Sequence, residues 1–166
     1  MSLLFGEKIS IYPVLASDDI VATTTRTVYV DTNLAHKLAF LISVGDLTTG
    51  AGATCDSLVL TVEASSIVTS GSAVAINYNY RLSSAIGTNS WGAITAGTSD
   101  GTSFSCSDIE NSLILVEVDP CILPAISSIY RWIGLCLTPS STTLLTLGVN
   151  AFIQHRYPGN SIPSST

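Results

Sequence analysis

The chain has 166 residues; 46% of them are hydrophobic and only 11% are charged, with a formal net charge of −6. A soluble domain is ordinarily about 25% charged, so this surface has to be finished with Ser, Thr, Gly and Asn, a composition suited to a protein packed against neighbours. The six basic residues (Lys8, Arg26, Lys37, Arg81, Arg131, Arg156) are scattered singly, which argues against direct nucleic-acid binding and against a basic helix on a membrane surface, and the longest apolar runs, such as residues 38–44, fall far short of the ~20 residues of a membrane-spanning helix.

A single domain is expected at this length. Residues 1–13 are an apolar stretch, expected as an N-terminal arm or edge strand, with a strand predicted over 9–14. Residues 1–8 carry neither a basic segment nor a long apolar segment, so no signal peptide is expected. A short helical turn is predicted over 17–21. Strands follow over 25–31, 36–44, 56–64 and 73–81, then a weak pair near 91–95 and 102–106, then 111–118, 128–137 and 143–155. A second helical turn is predicted over 120–125. The basis is a period of two: Leu58, Leu60, Val62 and Ala64 alternate with Ser57, Val59, Thr61 and Glu63, and Leu145, Leu147, Val149, Ala151 and Ile153 form a similar series. Successive side chains on a strand point to opposite faces, so each run offers one apolar face to a core. The runs 36–44 and 113–118 are apolar on both faces, as in central strands or strands covered from outside by another subunit.

Turn signals separate these runs: Gly50-Ala51-Gly52, Ser70-Gly71, Asp100-Gly101, Asp119-Pro120 and Pro139-Ser140. Short strands with such punctuation predict an all-β antiparallel sandwich or barrel, with no helix longer than about three turns. The body is expected over 14–156. Residues 157–166 are expected as an extended tail, because Pro158 and Pro163 remove backbone donors.

The candidates for chemistry are few. His36 and His155 are the only histidines, and each is expected as a hydrogen-bonded or exposed residue at a strand end. Asp108, Glu110, Glu117 and Asp119 flank one strand; paired carboxylates can serve a glycosidase or bind calcium, but the order here lacks a calcium-loop pattern, and turn capping is the expected role. Tyr78 and Tyr80 are assigned to core packing beside Val74 and Ile76, while Trp91, Trp132 and Tyr130 remain open. Cys55, Cys106, Cys121 and Cys136 form an even set that allows two disulfides. Without a secretion signal, four thiols are expected, and no Cys-x-x-Cys pair points to zinc. No catalytic residue, cofactor or metal is predicted.

Several segments carry a resemblance: Tyr29-Val30-Asp31, His36-Lys37-Leu38-Ala39-Phe40, Tyr80-Arg81-Leu82-Ser83, Thr88-Asn89-Ser90-Trp91-Gly92, Val116-Glu117-Val118-Asp119-Pro120, Tyr130-Arg131-Trp132 and Arg156-Tyr157-Pro158. Over roughly residues 26 to 158 the chain resembles small virion proteins of tailed bacteriophages. The resemblance implies a β-sandwich of jelly-roll type and a capsid decoration or cement protein. It would bind the major capsid protein on the outside of a virion, after assembly in the host cytoplasm. The alternative is a carbohydrate-binding jelly-roll module of a fibre or cell-surface protein. As partner contacts, Phe5 and Tyr12 are expected on the N-terminal arm and Arg156, Tyr157, Pro158 and Ile162 on the tail, because aromatic and arginine side chains supply most interface hot spots. A homo-oligomer is expected, with no nucleic-acid or membrane partner.

Overall fold

The computed structural model describes residues 9–20, 25–45, 56–68, 72–84, 90–126, 129–140 and 145–155; for 17–20, 124–125 and 145 it describes the backbone alone. The alternating sequence folds as two packed antiparallel sheets, an all-β sandwich. Its strands are β1 (Ile9–Ile20), β2 (Arg26–Asp31), β3 (Ala35–Val44), β4 (Ser57–Ser65), β5 (Val74–Ile76), β6 (Tyr78–Leu82), β7 (Thr95–Gly97), β8 (Thr102–Ser105), β9 (Leu113–Val118), β10 (Trp132–Pro139) and β11 (Leu145–His155). Sheet A runs β1-β11-β3-β9-β6-β7, and sheet B runs β2-β10-β4-β5 with β8 also paired to β4.

The core fills the space between the sheets. Leu38, Phe40 and Ile42 of β3, Ile114 and Val116 of β9, and Leu147, Val149 and Ala151 of β11 point inward from sheet A without solvent exposure or nearly so. Leu58, Leu60 and Val62 of β4 and Ile133, Leu135 and Leu137 of β10 meet them from sheet B. Each such side chain contributes about 1.5–3 kcal/mol by leaving water. The strict inward-outward alternation fixes the register, since a slip of one residue would turn this whole set to solvent.

The turn after β7 uses Asp100-Gly101, with Gly101 at φ +91°. Only glycine adopts that backbone at little cost. The helices among the described residues are short: α1 (Cys106–Ile109), α2 (Leu123–Ile126), and a 3-10 turn over Pro120–Ile122. Asp119 caps that turn, its Oδ1 accepting from the Cys121 N–H at 2.9 Å.

Four expectations are corrected. Residues 17–20 are not a helical turn; they continue β1, with Asp18, Asp19 and Ile20 opposite Leu147, Thr146 and Leu145. Pairing along the full length of β11 outweighs the local helix tendency. The run 73–81 is not one strand. It breaks at Asn77, whose Oδ1 accepts from the Ser99 N–H at 3.0 Å, so that β5 lies in sheet B and β6 in sheet A. Trp91 stands outside β7, in an isolated bridge to Ser83. Cys106 is disulfide-bonded, against the expected thiol, whereas Cys121 and Cys136 are thiols. Cys106 is fully buried in the core.

Candidate docking surface

The outer faces of the two sheets are finished differently. On sheet B, polar side chains bond one another across strands. Thr25 and Thr138 hydroxyls meet at 3.0 Å, and the Thr27 hydroxyl donates to Cys136 Sγ at 3.4 Å. Tyr29 lies over Gly134, where a Cβ would stand 2.6 Å from the Tyr29 ring, and its hydroxyl donates to Glu63 Oε1 on β4. Burial first, then Glu63, pushes the Tyr29 hydroxyl pKa upward. Burial likewise pushes the Cys136 thiol up to about 11, with the Glu63 charge adding to it and the Thr27 bond opposing it. At the end of this face Arg131 Nε donates to Asp31 Oδ1 at 2.8 Å, its Nη2 donates to Asp31 Oδ2, and its guanidinium lies 5.7 Å from the Trp132 ring centre.

Sheet A presents a different outer face. One cross-strand row runs Ile11–Phe152–Ala39–Glu117–Asn79–Ala96 through all six strands. The next runs Pro13–Asn150–Leu41–Leu115–Arg81, and a third runs Gly148–Ser43–Leu113. Ile11 is 50% exposed, and Phe152, Leu41, Leu115 and Leu113 are half-buried. No described element of the chain crosses this face. Among the described side chains its charge is balanced: Arg81 pairs with Glu117 at 3.2 Å, and Lys37 and Asp119 stand at the rim. Arg81 Nε has no hydrogen-bond partner. Two hollows indent the face, one of about 400 Å³ over Ala39 between Phe152, Lys37, Asn79, Glu117 and Gln154, and one of about 340 Å³ over Gly148 between Pro13, Leu15, Ser43 and Asn150. Leu41 and Leu115 form the ridge between them.

A third concavity, about 460 Å³, lies where edge strand β1 meets edge strand β2. Tyr12, Val14, Tyr29, Leu34, Ile153, His155 and the Asp31–Arg131 pair line it. Tyr12, expected as a partner contact, is half-buried here and packs against the core from β1. Phe5, Arg156, Tyr157, Pro158 and Ile162 lie outside the described residues, as do residues 157–166 as a whole. Residues 9–13 are the first part of β1.

The remaining candidates are dispersed. His155 Nε2 lies 2.8 Å from Ser10 Oγ at the end of β11, and His36 is exposed on β3. Asp108 and Glu110 are exposed near α1, apart from the Glu117–Arg81 pair. Among the described residues, no three His, Cys, Asp or Glu side chains gather to hold a metal ion. Tyr78 and Tyr80 turn inward, their ring centres 6.4 Å apart, and Tyr80 meets Phe104 edge-on at 5.2 Å. The Tyr78 hydroxyl donates to the Leu60 carbonyl at 2.9 Å and lies 2.8 Å from Thr102 Oγ1. Sequence periodicity flagged β3 and β9 as apolar on both faces, but not which outward residues form the ridge and which the hollows. That information lies in the cross-strand register. Compared with known proteins, the chain matches no family model and no curated sequence.

Proposed function

We propose that the chain is a structural virion protein that binds the outside of a phage capsid and stabilises it, as a decoration or cement subunit. The observation that carries this reading is the strand order. With β6, β7 and β8 set aside, one sheet runs β1-β11-β3-β9 and the other β2-β10-β4-β5. Successive strands alternate between sheets except at the β4–β5 hairpin pair, and the first strand lies beside the last. That order supports a jelly roll, two four-stranded sheets wound from one folded ribbon, an architecture used by viral capsid and lectin domains. A fold alone does not select a function. The sparse charge and the apolar outer face of sheet A add support for assembly. The role is mechanical, without catalytic residue or cofactor. Its partners are the major capsid protein and further copies of the chain, and its place is the capsid surface. Repeated weak contacts over a lattice add up through avidity.

The test is electron microscopy of the source particle, with and without the gene. The expected result is a regular β-rich subunit outside the capsid lattice, and mutant particles that release their contents at lower temperature. Recovery of the chain in fibre fractions only would overturn the reading. The hollow over Ala39 favours a second reading, a carbohydrate-binding module, because Phe152 there is flanked by Asn79, Gln154 and Glu117. Apolar ring faces and planar polar groups are what a sugar requires. Glycan-array binding that Phe152→Ala abolishes would favour it.

A further inference from the structure

We propose that the outer face of sheet A is an interface between two copies of this chain, packed sheet on sheet. The inference goes beyond the virion reading and does not depend on it.

Three observations identify a second copy as the occupant. The first is area. Five strands about 4.8 Å apart, over about seven residues at ~3.4 Å each, give a footprint of about 600 Å² per copy. Two such faces bury roughly 1,200 Å², the lower bound of specific interfaces. The second is charge. The chain carries −6 overall, so two copies repel through most of their surface. Among its described side chains this face carries Lys37 and Arg81 against Glu117 and Asp119, which balance. Two copies can meet here without like charges facing each other in excess. The third is relief. The ridge of Leu41 and Leu115 stands beside hollows floored by Ala39 and Gly148. Facing sheets interdigitate large side chains into such gaps at a spacing of about 10 Å. A polar partner would leave Leu41, Leu115, Phe152 and Ile11 unmatched.

The test is sedimentation equilibrium of the purified full chain from 1 to 100 µM. Wild type is expected to form dimers. Leu41→Glu should weaken association at least 100-fold, and Ala39→Trp, which fills a hollow without adding charge, at least 10-fold. Thr61→Glu on the outer face of sheet B should leave association unchanged. Circular dichroism verifies the fold of each variant, and Ala39→Trp decides the matter if Leu41→Glu does not fold. A wild-type monomer at 100 µM overturns the proposal, as does a loss of association in Thr61→Glu equal to that in the folded sheet A variants. A chain that stays monomeric yet still decorates particles overturns the second copy as occupant and leaves the virion reading standing.

Discussion

Sheet A and sheet B share one core, yet their outer faces solve opposite problems. On sheet B the side chains that leave the core satisfy one another: Thr25 with Thr138, Thr27 with Cys136, Tyr29 with Glu63, Arg131 with Asp31. On sheet A the outward positions hold Leu41, Leu115, Phe152 and Ile11, and the Arg81–Glu117 pair leaves Arg81 Nε without a partner. An antiparallel sheet with one face on the core normally has a polar second face. Sheet B follows that rule with few charges, using hydroxyls that bond across strands. Sheet A departs from it, and the proposed pairing of two copies rests on that departure. The difference shows how a chain with 11% charge divides its outer faces into one finished by cross-strand polar bonds and one that keeps leucine and phenylalanine outward.

The sharpest way to break this contrast lies within one strand. Phe40 and Leu41 are neighbours on β3; Phe40 is fully buried, and Leu41 faces outward. Phe40→Ala should destabilise the isolated chain by about 3–5 kcal/mol through lost burial and a cavity. Leu41→Ala should cost less, about 1–2 kcal/mol, because Leu41 is only half-buried against its row neighbours Asn150 and Leu115. Urea denaturation at low protein concentration measures both. Equal losses would mean that the outer face of sheet A is already covered within the chain.

Gly134 tests the finished side. A Cβ there would stand 2.6 Å from the Tyr29 ring and 3.1 Å from Glu63 Cγ. Gly134→Ala must therefore lift Tyr29 off the sheet and strain its bond to Glu63. The expected loss is about 1–3 kcal/mol, as for other overpacking changes, read as a lower melting temperature. A neutral result would show that Tyr29 does not hold that position in solution.

Periodicity alone was enough to place β2, β3, β4, β9, β10 and β11 within a few residues, because each buries one face against the core. It could not see the break at Asn77. Val74, Ile76, Tyr78 and Tyr80 keep a continuous alternation, and only the hydrogen bond from Ser99 to Asn77 and pairing with two different sheets separate them. Nor could it place residues 17–20, whose conformation is imposed by β11 across the sheet. For the candidate surface the sequence supplied the double-sided apolar runs at 36–44 and 113–118 but not their register. Leu41 meets Leu115 and Ala39 meets Glu117 through non-local pairing, which composition does not encode. Tyr12, expected on an arm or edge strand, lies in edge strand β1 opposite Ala151 and packs against the core.

Cys136 extends the contrast to reactivity. Its thiol is pushed up to about 11, chiefly by burial. Relative to an ordinary thiol near pKa 8.5, its thiolate fraction at pH 8 is roughly 250-fold lower, and the greater nucleophilicity of a high-pKa thiolate recovers about 10-fold. Alkylation by iodoacetamide should therefore run roughly 20-fold slower than for a cysteine peptide. Glu63→Gln should speed it by removing the neighbouring negative charge. Mass spectrometry of timed digests measures both rates. A rate equal to the peptide's would show that the outer face of sheet B opens readily to solvent.

The smallest expected effect belongs to the Asp31–Arg131 pair at the end of sheet B. Burial alone would raise the Asp31 carboxyl, but the bond from Arg131 and the Asn33 N–H outweigh it, and its pKa is lowered. A carboxyl with a lowered folded pKa adds stability that is fully present above its unfolded value, near 3.9. That stability fades as pH falls through the folded value. Arg131 stays charged throughout, so only Asp31 sets the window. Because half of the Arg131 side chain is exposed, solvent and salt screen the pair. Asp31→Asn should lower stability slightly at pH 6, with the difference shrinking as pH falls through the folded value and in 1 M salt. A difference that does not shrink as pH falls would assign the loss to altered packing instead of the ion pair. An asparagine carbonyl can still accept from the Asn33 N–H, which Asp31 accepts at 3.0 Å, so the substitution keeps the cap and the pH profile isolates the ion pair.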